Sequence, residues 1–270
     1  MSEDVGMIRG LVGVLHLAPM PGDPGGESFE EVHRRALTDA EAYLDGGVHN
    51  LILENFGSAP FVKGTRGDRI PPHQAATLSI LAHECRERFQ AGVGINCLRN
   101  DAHTALGIAA ATGADFVRVN VHIGAYVTDQ GLIEGEAAET LRYREMLGAS
   151  SVRILADVLV KHATPLAPLD AGEATRDTLA RGGADGVIVT GAATGTGPSL
   201  ERLRAVSEAA APSPVYLGSG FSPERAQEFA PLCHGAIVGT WVKRKGQLSE
   251  PVDSLRVKEL VAATAGCFRG

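Results

Sequence analysis

The chain has 270 residues, a net charge of −7 and contents of 44% hydrophobic and 21% charged residues, which are typical of one large globular domain. The negative balance, without a basic stripe, argues against a nucleic-acid partner, and no apolar run approaches the roughly 20 residues that cross a bilayer. The acidic start MSEDVGMIRG and four cysteines without a CxxC pair predict a cytoplasmic protein with reduced thiols and no targeting peptide, for which any membrane contact would be peripheral.

Short apolar runs alternate with helical patterns eight times along the chain. The predicted strands are Leu11–His16, Asn50–Glu54, Gly92–Cys97, Phe116–Asn120, Val152–Asp157, Gly186–Thr190, Val215–Leu217 and Ala236–Gly239. The predicted helices are Phe29–Asp45, His73–Phe89, Asp101–Thr112, Glu136–Leu147, Gly172–Arg181, Ser199–Ala210, Pro223–Phe229 and Val252–Ala263. Strands that are apolar on both faces, each followed by a helix about 30 residues before the next, are typical of parallel βα units. Eight units without a linker predict a single (β/α)8 TIM barrel over residues 1–270.

Two of the predicted βα loops are longer than the others. Phe56–Pro72 follows the second strand and Val121–Gly135 follows the fourth. Both loops leave the carboxyl ends of strands, where barrel enzymes keep their active sites, so they are candidate lids or binding loops. A surface excursion or a subunit contact would explain the first loop equally well.

Glycine turns end the last three predicted strands. In (β/α)8 barrels the final βα loops often hold a substrate phosphate through backbone N–H groups, and these turns predict such a site. The candidate phosphate-binding residues are Thr190, Gly191, Gly195, Gly218, Ser219, Gly220, Gly239 and Thr240. The alternative is that the glycines only make tight turns. GxxxxGK[ST] is absent, which argues against a nucleotide triphosphatase.

Polar side chains gather at the carboxyl ends of at least five predicted strands. Strand alternation places Arg118, Asn120 and His122 on the face opposite Val117, Val119 and Val121, and the covering helices favour the valines. The inward polar set is therefore His16, Glu54, Asn96, Arg118, Asn120, His122, Asp157 and Lys161. Because buried charges are costly unless paired, this concentration predicts an active site.

The roles of these residues leave alternatives. Asp157 and Lys161 would form a pair tuned for proton transfer, or Lys161 would form a Schiff base with a carbonyl substrate. His122 is a candidate general acid or base, with Glu54 as a further catalytic carboxylate. Arg118 and Asn120 would bind a carboxylate or a hydroxyl, or Arg118 would be structural and pair with Glu54 or Asp157. A divalent metal on His16, Glu54, His122 and Asp157 is a weaker alternative, since no HxH or HExxH spacing supports it.

Seven segments together resemble the BtpA/SgcQ family over nearly the whole chain. They are GVLHLAPMPGDP (13–24), ILENFGSAPF (52–61), GVGINCLRND (92–101), DFVRVNV (115–121), ILADVLVKHA (154–163), VTGAATG (189–195) and YLGSGF (216–221). The resemblance implies a TIM barrel related to the phosphate-binding barrel enzymes. The family takes its name from a protein implicated in photosystem I biogenesis at the thylakoid membrane, but its members also occur in non-photosynthetic organisms. It supplies no established reaction or catalytic residues.

Two functions of different classes follow. The first is an enzyme with lyase, isomerase or glycosidase-type chemistry on a small phosphorylated metabolite, such as a sugar phosphate or a nucleotide-derived ribosyl phosphate. The residues require no cofactor, and we expect a homo-oligomer. The second is a non-catalytic assembly factor for a membrane complex such as photosystem I. We favour the enzyme, because a scaffold has little reason to carry inward polar residues that cost stability.

Overall fold

The computed structural model describes residues 7–191 and 195–270. These residues contain eleven strands. In chain order these are β1 (Gly10–His16), β2 (Asn50–Glu54), β3 (Gly92–Asn96), β4 (Phe116–Val119), β5 (Ala125–Thr128), β6 (Gly131–Glu134), β7 (Arg153–Val158), β8 (Thr164–Pro165), β9 (Gly186–Val189), β10 (Val215–Leu217) and β11 (Gly235–Val238). Eight of them close into a parallel barrel in the order β1-β11-β10-β9-β7-β4-β3-β2. The predicted TIM barrel is confirmed.

Eight α-helices follow the barrel strands within the described residues. They are α1 (Phe29–Asp45), α2 (Pro72–Phe89), α3 (Ala102–Thr112), α4 (Ala137–Met146), α5 (Ala171–Ala180), α6 (Leu200–Ala210), α7 (Pro223–Phe229) and α8 (Ser254–Thr264). Each predicted barrel strand and helix lies within two residues of its observed bounds. Several helices begin where the sequence supplies a capping side chain: Ser28, Asp101, Asp170 and Ser199 each accept a hydrogen bond from a backbone N–H three residues later. Within residues 7–191 and 195–270, no helix is both long enough and apolar enough to cross a membrane.

The apolar core has two layers, because alternate residues of each barrel strand point inward and outward. The inner cluster fills the barrel and consists of Ile8, Val12, Val14, Ile52, Phe116, Leu155, Ile188, Tyr216 and Ile237. A much larger cluster lies between the barrel and the helices and includes Val117 and Val119. Gly94 is needed where it stands, since a Cβ atom there would overlap the ring of Phe116. The polar residues at the strand ends lie above the inner apolar cluster.

Two Gly-Ala-Asp turns join helices to strands in equivalent ways. Gly113 ends α3 in the left-handed conformation, with φ 72°. Two residues later, Asp115 accepts hydrogen bonds from the N–H of Val93 at 2.7 Å and from Arg86 at 2.9 Å. Asp185 likewise accepts from the N–H of Ile154 at 2.8 Å and from Arg144 at 2.6 Å. The aspartate of each turn therefore ties the start of its own strand to the preceding barrel strand.

The long loop after β4 contains structure that the sequence analysis did not predict. Strands β5 and β6 form an antiparallel hairpin, and β8 pairs with the other edge of β5. One face of this small sheet buries an apolar cluster consisting of Val121, Tyr126, Ile133 and Val160. The long loop predicted over Val121–Gly135 therefore contains a hairpin. The short runs AYVT and GLIE flank the polar pair Asp129-Gln130, but neither run alternates apolar and polar residues, so the local pattern is weak.

Candidate active site

A cavity of about 560 Å³ opens at the carboxyl ends of the barrel strands. One wall is formed by the backbone-rich turns after β9, β10 and β11, including Gly195, Gly218, Ser219, Gly220, Gly239 and Thr240. The same cavity is also lined by the polar side chains of His16, Glu54, Arg118 and Lys161. The structure therefore brings the predicted phosphate-binding turns and the predicted polar strand ends into one space.

A second cavity, of about 410 Å³, adjoins the first. Glu54, Arg118 and Lys161 line both cavities, so they lie at the junction. Asn96 and Asn120 line only the second. Twelve of the sixteen predicted site residues thus border one cavity or the other, while Asp157, His122, Thr190 and Gly191 border neither.

Arg118 connects the acidic residues beneath the junction. Its Nε and Nη2 atoms bind Oδ1 and Oδ2 of Asp157 at 3.0 and 3.1 Å, and its Nη1 binds Oε1 of Glu54 at 3.2 Å. Asn120 donates to Oδ2 of Asp157 at 2.9 Å, and Asn96 donates to Oε1 of Glu54 at 3.0 Å. All five residues are buried. Of the two roles considered for Arg118, the geometry matches the structural guanidinium that pairs with both carboxylates.

Glu54 is held in its ionised form. Burial alone would raise the pKa of its carboxyl group, but the nearby charges of Arg118 and Lys161 and the hydrogen bond from Asn96 together lower it. Glu54 therefore presents a carboxylate, with one oxygen already bound, to both cavities.

Lys161 does not form the ion pair with Asp157 that the sequence suggested. Arg118 and Asn120 already bind both oxygens of Asp157, and within the described residues no carboxylate lies within ion-pair distance of the Lys161 ammonium. Strand β7 ends at Val158, so Lys161 lies beyond the regular alternation that motivated the pairing. Burial lowers the pKa of Lys161, and the positive charge of Arg118 lowers it further.

His16 forms part of the first cavity wall at the end of β1. Its Nδ1 atom is buried, with no partner among the described residues. Its ring meets the ring of Phe56 edge-on, with centroids 4.8 Å apart. Burial lowers the pKa of the imidazole to about 4 despite the opposing charge of Glu54, so His16 is neutral at neutral pH.

His122 is not brought to the mouth, which corrects the expected inward position of this candidate acid or base. Strand β4 ends at Val119 and the chain bends at Asn120 and Val121, so alternation no longer applies to His122. Its Nε2 donates to the carbonyl of Gly182 at 2.8 Å, beside the turn that precedes β9. The metal set His16, Glu54, His122 and Asp157 therefore does not assemble. Across residues 7–191 and 195–270, no group of three or more His, Cys, Asp or Glu is placed to hold a metal ion.

The turns after β9, β10 and β11 that line the first cavity, from here on the glycine wall, are joined in part by Ser219. Its hydroxyl donates to the carbonyl of Thr196 at 2.8 Å and accepts from the N–H of Gly191 at 3.2 Å, so it links the turns after β9 and β10. Gly220 has φ 66°, and a Cβ atom there would overlap the backbone of Gly197. These glycines thus have a packing role whether or not an anion binds. Ala192, Ala193 and Thr194, which the predicted turn also spans, lie outside the described residues.

Two further buried polar atoms near the cavities lack a partner among the described residues. They are Oγ1 of Thr190 and Oδ1 of Asn120. The Thr190 methyl group and the Arg118 guanidinium both lie close to Gly218, on the barrel side of the first cavity. Buried polar atoms without partners are uncommon in folded proteins, and a bound water, an ion or a catalytic role commonly accounts for them.

Two arginines that strand alternation does not predict also line the cavities. Arg99 lines the second cavity, and its Nη2 donates to the carbonyl of Lys161 at 2.7 Å. Arg225 lines the first cavity, donates to the carbonyl of Gly220 at 3.2 Å and lies over the Phe229 ring at 4.3 Å. Arg225 stands in the first turn of the helix after the glycine turn, and this position was the available signal. Arg99 lies three residues beyond β3, where no periodic pattern predicts the direction of a side chain.

Comparison with known proteins gives consistent results. The sequence model described as the BtpA family matches residues 7–266. The chain is 44% identical to the photosystem I biogenesis protein BtpA of Synechocystis sp., over 94% of this chain and 88% of that protein. It is 42% identical to an uncharacterized protein of Pyrococcus furiosus, over 93% of each chain. Among solved structures, the N-(5'-phosphoribosyl)anthranilate isomerase of Pyrococcus furiosus is similar, with a TM-score of 0.55 and 14% identity, over 96% of this chain and 100% of that one. At that identity the similarity shows the fold alone. By family match and relatives alike, this chain belongs to the BtpA family.

Proposed function

We propose that this protein is an enzyme that acts on a small phosphorylated metabolite in the 560 Å³ cavity at the barrel mouth. The observation that carries the proposal is the composition of that single cavity, which combines glycine turns with the buried charged groups of Glu54 and Arg118. Ligand cavities typically combine such a small number of convergent polar groups with an enclosed volume of several hundred Å³.

The phosphate would bind at the glycine wall. Turns after adjacent parallel strands can direct several backbone N–H groups at one anion, and an arginine can add donors in the same direction. Arg225 uses only part of its five-donor guanidinium on the Gly220 and Pro198 carbonyls, so donors remain for an anion. The Pyrococcus furiosus isomerase with a similar fold is named for a phosphoribosyl substrate, which is consistent with this proposal.

The reacting part of the substrate would then lie against Glu54, Arg118 and Lys161. The ionised Glu54 and Lys161, whose pKa is lowered, are groups that accept or transfer protons, and Arg118 is a fixed positive charge near developing negative charge. Proton transfer, isomerisation and lysis are the reaction classes that these residues support.

Thermal unfolding in the presence of sugar phosphates tests the proposal. We expect at least one phosphorylated compound, but not its unphosphorylated counterpart, to raise the Tm of the wild-type protein. Ser219→Asp should abolish the shift, because it places a negative charge in the glycine wall. Ser151→Asp, at an exposed position outside both cavities, is the matched control and should keep the shift. The proposal fails if no phosphorylated compound stabilises the wild-type protein.

A second candidate function is assembly of a membrane complex, which the name of the Synechocystis relative favours. The 42% identical protein of Pyrococcus furiosus carries no such role in its name, so one relative's name does not extend the role across the family. Expression of this chain in a Synechocystis strain that lacks its own relative separates the two candidates. A scaffold would restore photosystem I equally well with Glu54→Gln or Lys161→Met, whereas an enzyme would not.

A further inference from the structure

We propose that Lys161 is a covalent nucleophile that forms a Schiff base with an aldehyde or ketone group of the substrate. The inference rests on the proposed function for the location of the site. It narrows the substrate class to small phosphorylated carbonyl compounds.

Lys161 lies where a substrate can reach it. It lines both cavities and shares the first with the turns at Gly220 and Gly239. A cavity of about 560 Å³ accommodates a sugar phosphate, so one molecule with its phosphate at these turns can also contact the Lys161 amine.

The buried charges around Lys161 are already balanced without it. Among the buried residues at the junction, the guanidinium groups of Arg99 and Arg118 already balance the carboxylates of Glu54 and Asp157. The Lys161 amine is therefore not needed to neutralise a buried acid, and it forms no ion pair with one. A protonated Lys161 would add an excess positive charge beside Arg118. Burial and this repulsion lower its pKa, which increases the fraction of the neutral amine, the form that attacks a carbonyl.

The backbone around Lys161 is held in an unusual conformation. The buried Arg99 side chain fixes the Lys161 carbonyl at 2.7 Å. Leu159 and His162 flank the lysine with φ values of 53° and 56°, conformations that residues other than glycine seldom adopt. Such backbone conformations cluster at functional sites, where surrounding contacts maintain them and fix the position of a functional side chain.

The chemistry balances without any further group. The neutral Nζ of Lys161 adds to the carbonyl carbon, and the oxygen leaves as water after taking one proton from nitrogen and one from solvent. The product is a protonated imine that carries the positive charge. The imine withdraws electrons from the adjacent carbon and so promotes either removal of a proton there or cleavage of a carbon–carbon bond. Glu54, which is ionised and lines both cavities together with Lys161, is the carboxylate that would accept that proton.

Borohydride trapping tests the inference. The wild-type protein is incubated with glyceraldehyde 3-phosphate, dihydroxyacetone phosphate or formaldehyde, reduced with sodium borohydride and mapped by peptide mass spectrometry. The chain has five lysines, Lys63, Lys161, Lys243, Lys245 and Lys258, so each is assigned separately. We expect Lys161 to be modified several-fold more than exposed Lys245 or Lys258, since it lines the cavity that would hold the carbonyl compound and its lowered pKa raises the fraction of neutral amine. Lys161→Arg should remove this product, and Lys258→Arg should not.

The outcomes distinguish the inference from the proposed function. Stabilisation by sugar phosphates without a selective Lys161 adduct, even with formaldehyde, would overturn the inference and leave the proposed function standing. A selective Lys161 adduct that forms equally well with dihydroxyacetone and dihydroxyacetone phosphate would support the nucleophile and count against the phosphate site. Labelling spread evenly over the exposed lysines would also overturn the inference.

Discussion

Arg118 and Asp157 form a two-point ion pair inside the barrel mouth, with Nε–Oδ1 and Nη2–Oδ2 distances of 3.0 and 3.1 Å. Both side chains are shielded from solvent, and the third guanidinium nitrogen binds Glu54 at 3.2 Å. Asp157 borders neither cavity, so it acts on a ligand only by holding Arg118 in place. Part of the polar cluster is thus a support for the residues that line the cavities.

Asp157→Leu should destabilise the fold by about 3–5 kcal/mol, because it leaves the buried Arg118 charge without its main partner. Urea denaturation measures this loss. The double variant Arg118→Leu with Asp157→Leu should cost less than the sum of the single changes, since it leaves no unpaired charge between them. Arg34→Ala, which removes an exposed ion pair with Glu31, is the control and should cost less than about 1 kcal/mol. A loss below 1 kcal/mol for Asp157→Leu would contradict this account of the pair.

Gly220→Ala should remove ligand binding and lower stability, because its Cβ atom would overlap the Gly197 backbone and separate the turns after β9 and β10. Gly148 is the matched control, since it has a similar φ of 63° but open space where a Cβ atom would lie. Gly148→Ala should therefore cost only about 1 kcal/mol, from backbone conformation alone. Chemical denaturation and the thermal-shift assay with sugar phosphates measure both effects. Equal losses for the two variants would show that the close approach at Gly220 does not matter.

Ile133→Ala should loosen the β5–β6 hairpin from the barrel. Ile133 is 0% exposed in the apolar cluster beneath the hairpin, and truncation of such a side chain costs about 2–5 kcal/mol. The adjacent Leu132 is 43% exposed, so Leu132→Ala should change stability by less than about 0.5 kcal/mol. Hydrogen exchange at the amides of β5 measures the difference. Similar exchange rates in the two variants would mean that the cluster does not anchor the hairpin.

The barrel could be predicted from the sequence because its signals are local and repeated. Each apolar run followed by a helical pattern specifies one βα unit, and eight consistent units leave little choice of architecture. The hairpin was missed because β5 and β6 are short, and β6 has only one fully buried residue, Ile133. Its stability depends on contacts with Val121 and Val160, which are distant from β6 in sequence. Local patterns do not report such contacts.

The candidate site was predictable only as far as regular strand geometry extends. His16, Glu54 and Asn96 are the last residues of β1, β2 and β3, and alternation directs them correctly toward the mouth. His122 lies beyond the end of β4, where alternation no longer applies. The partner of Asp157 could not be identified either, because an arginine and a lysine compete for it and only the three-dimensional distances decide. Those distances favour Arg118.

His16 should make the protein sensitive to acid. Its folded-state pKa of about 4 lies below its ordinary value of 6.5, so between these values the unfolded chain binds a proton that the folded chain does not. The contribution is fully present above pH 6.5 and is lost as the pH falls toward 4, by at most about 1.4 kcal/mol per pH unit. Burial is the main cause, so the effect should persist in high salt.

The pH dependence is measured by urea denaturation between pH 4.5 and 7.5 for the wild type and His16→Gln, with NMR titration of the imidazole as a direct check. His16→Gln should flatten the decline in stability below pH 6.5, because glutamine does not titrate. His83→Gln, at an exposed helix position, is the control and should leave the wild-type slope unchanged. An NMR titration midpoint for His16 near 6.5 would contradict a neutral imidazole buried in the cavity wall. It would instead indicate that the ring is solvated and that Glu54, rather than burial, dominates its surroundings.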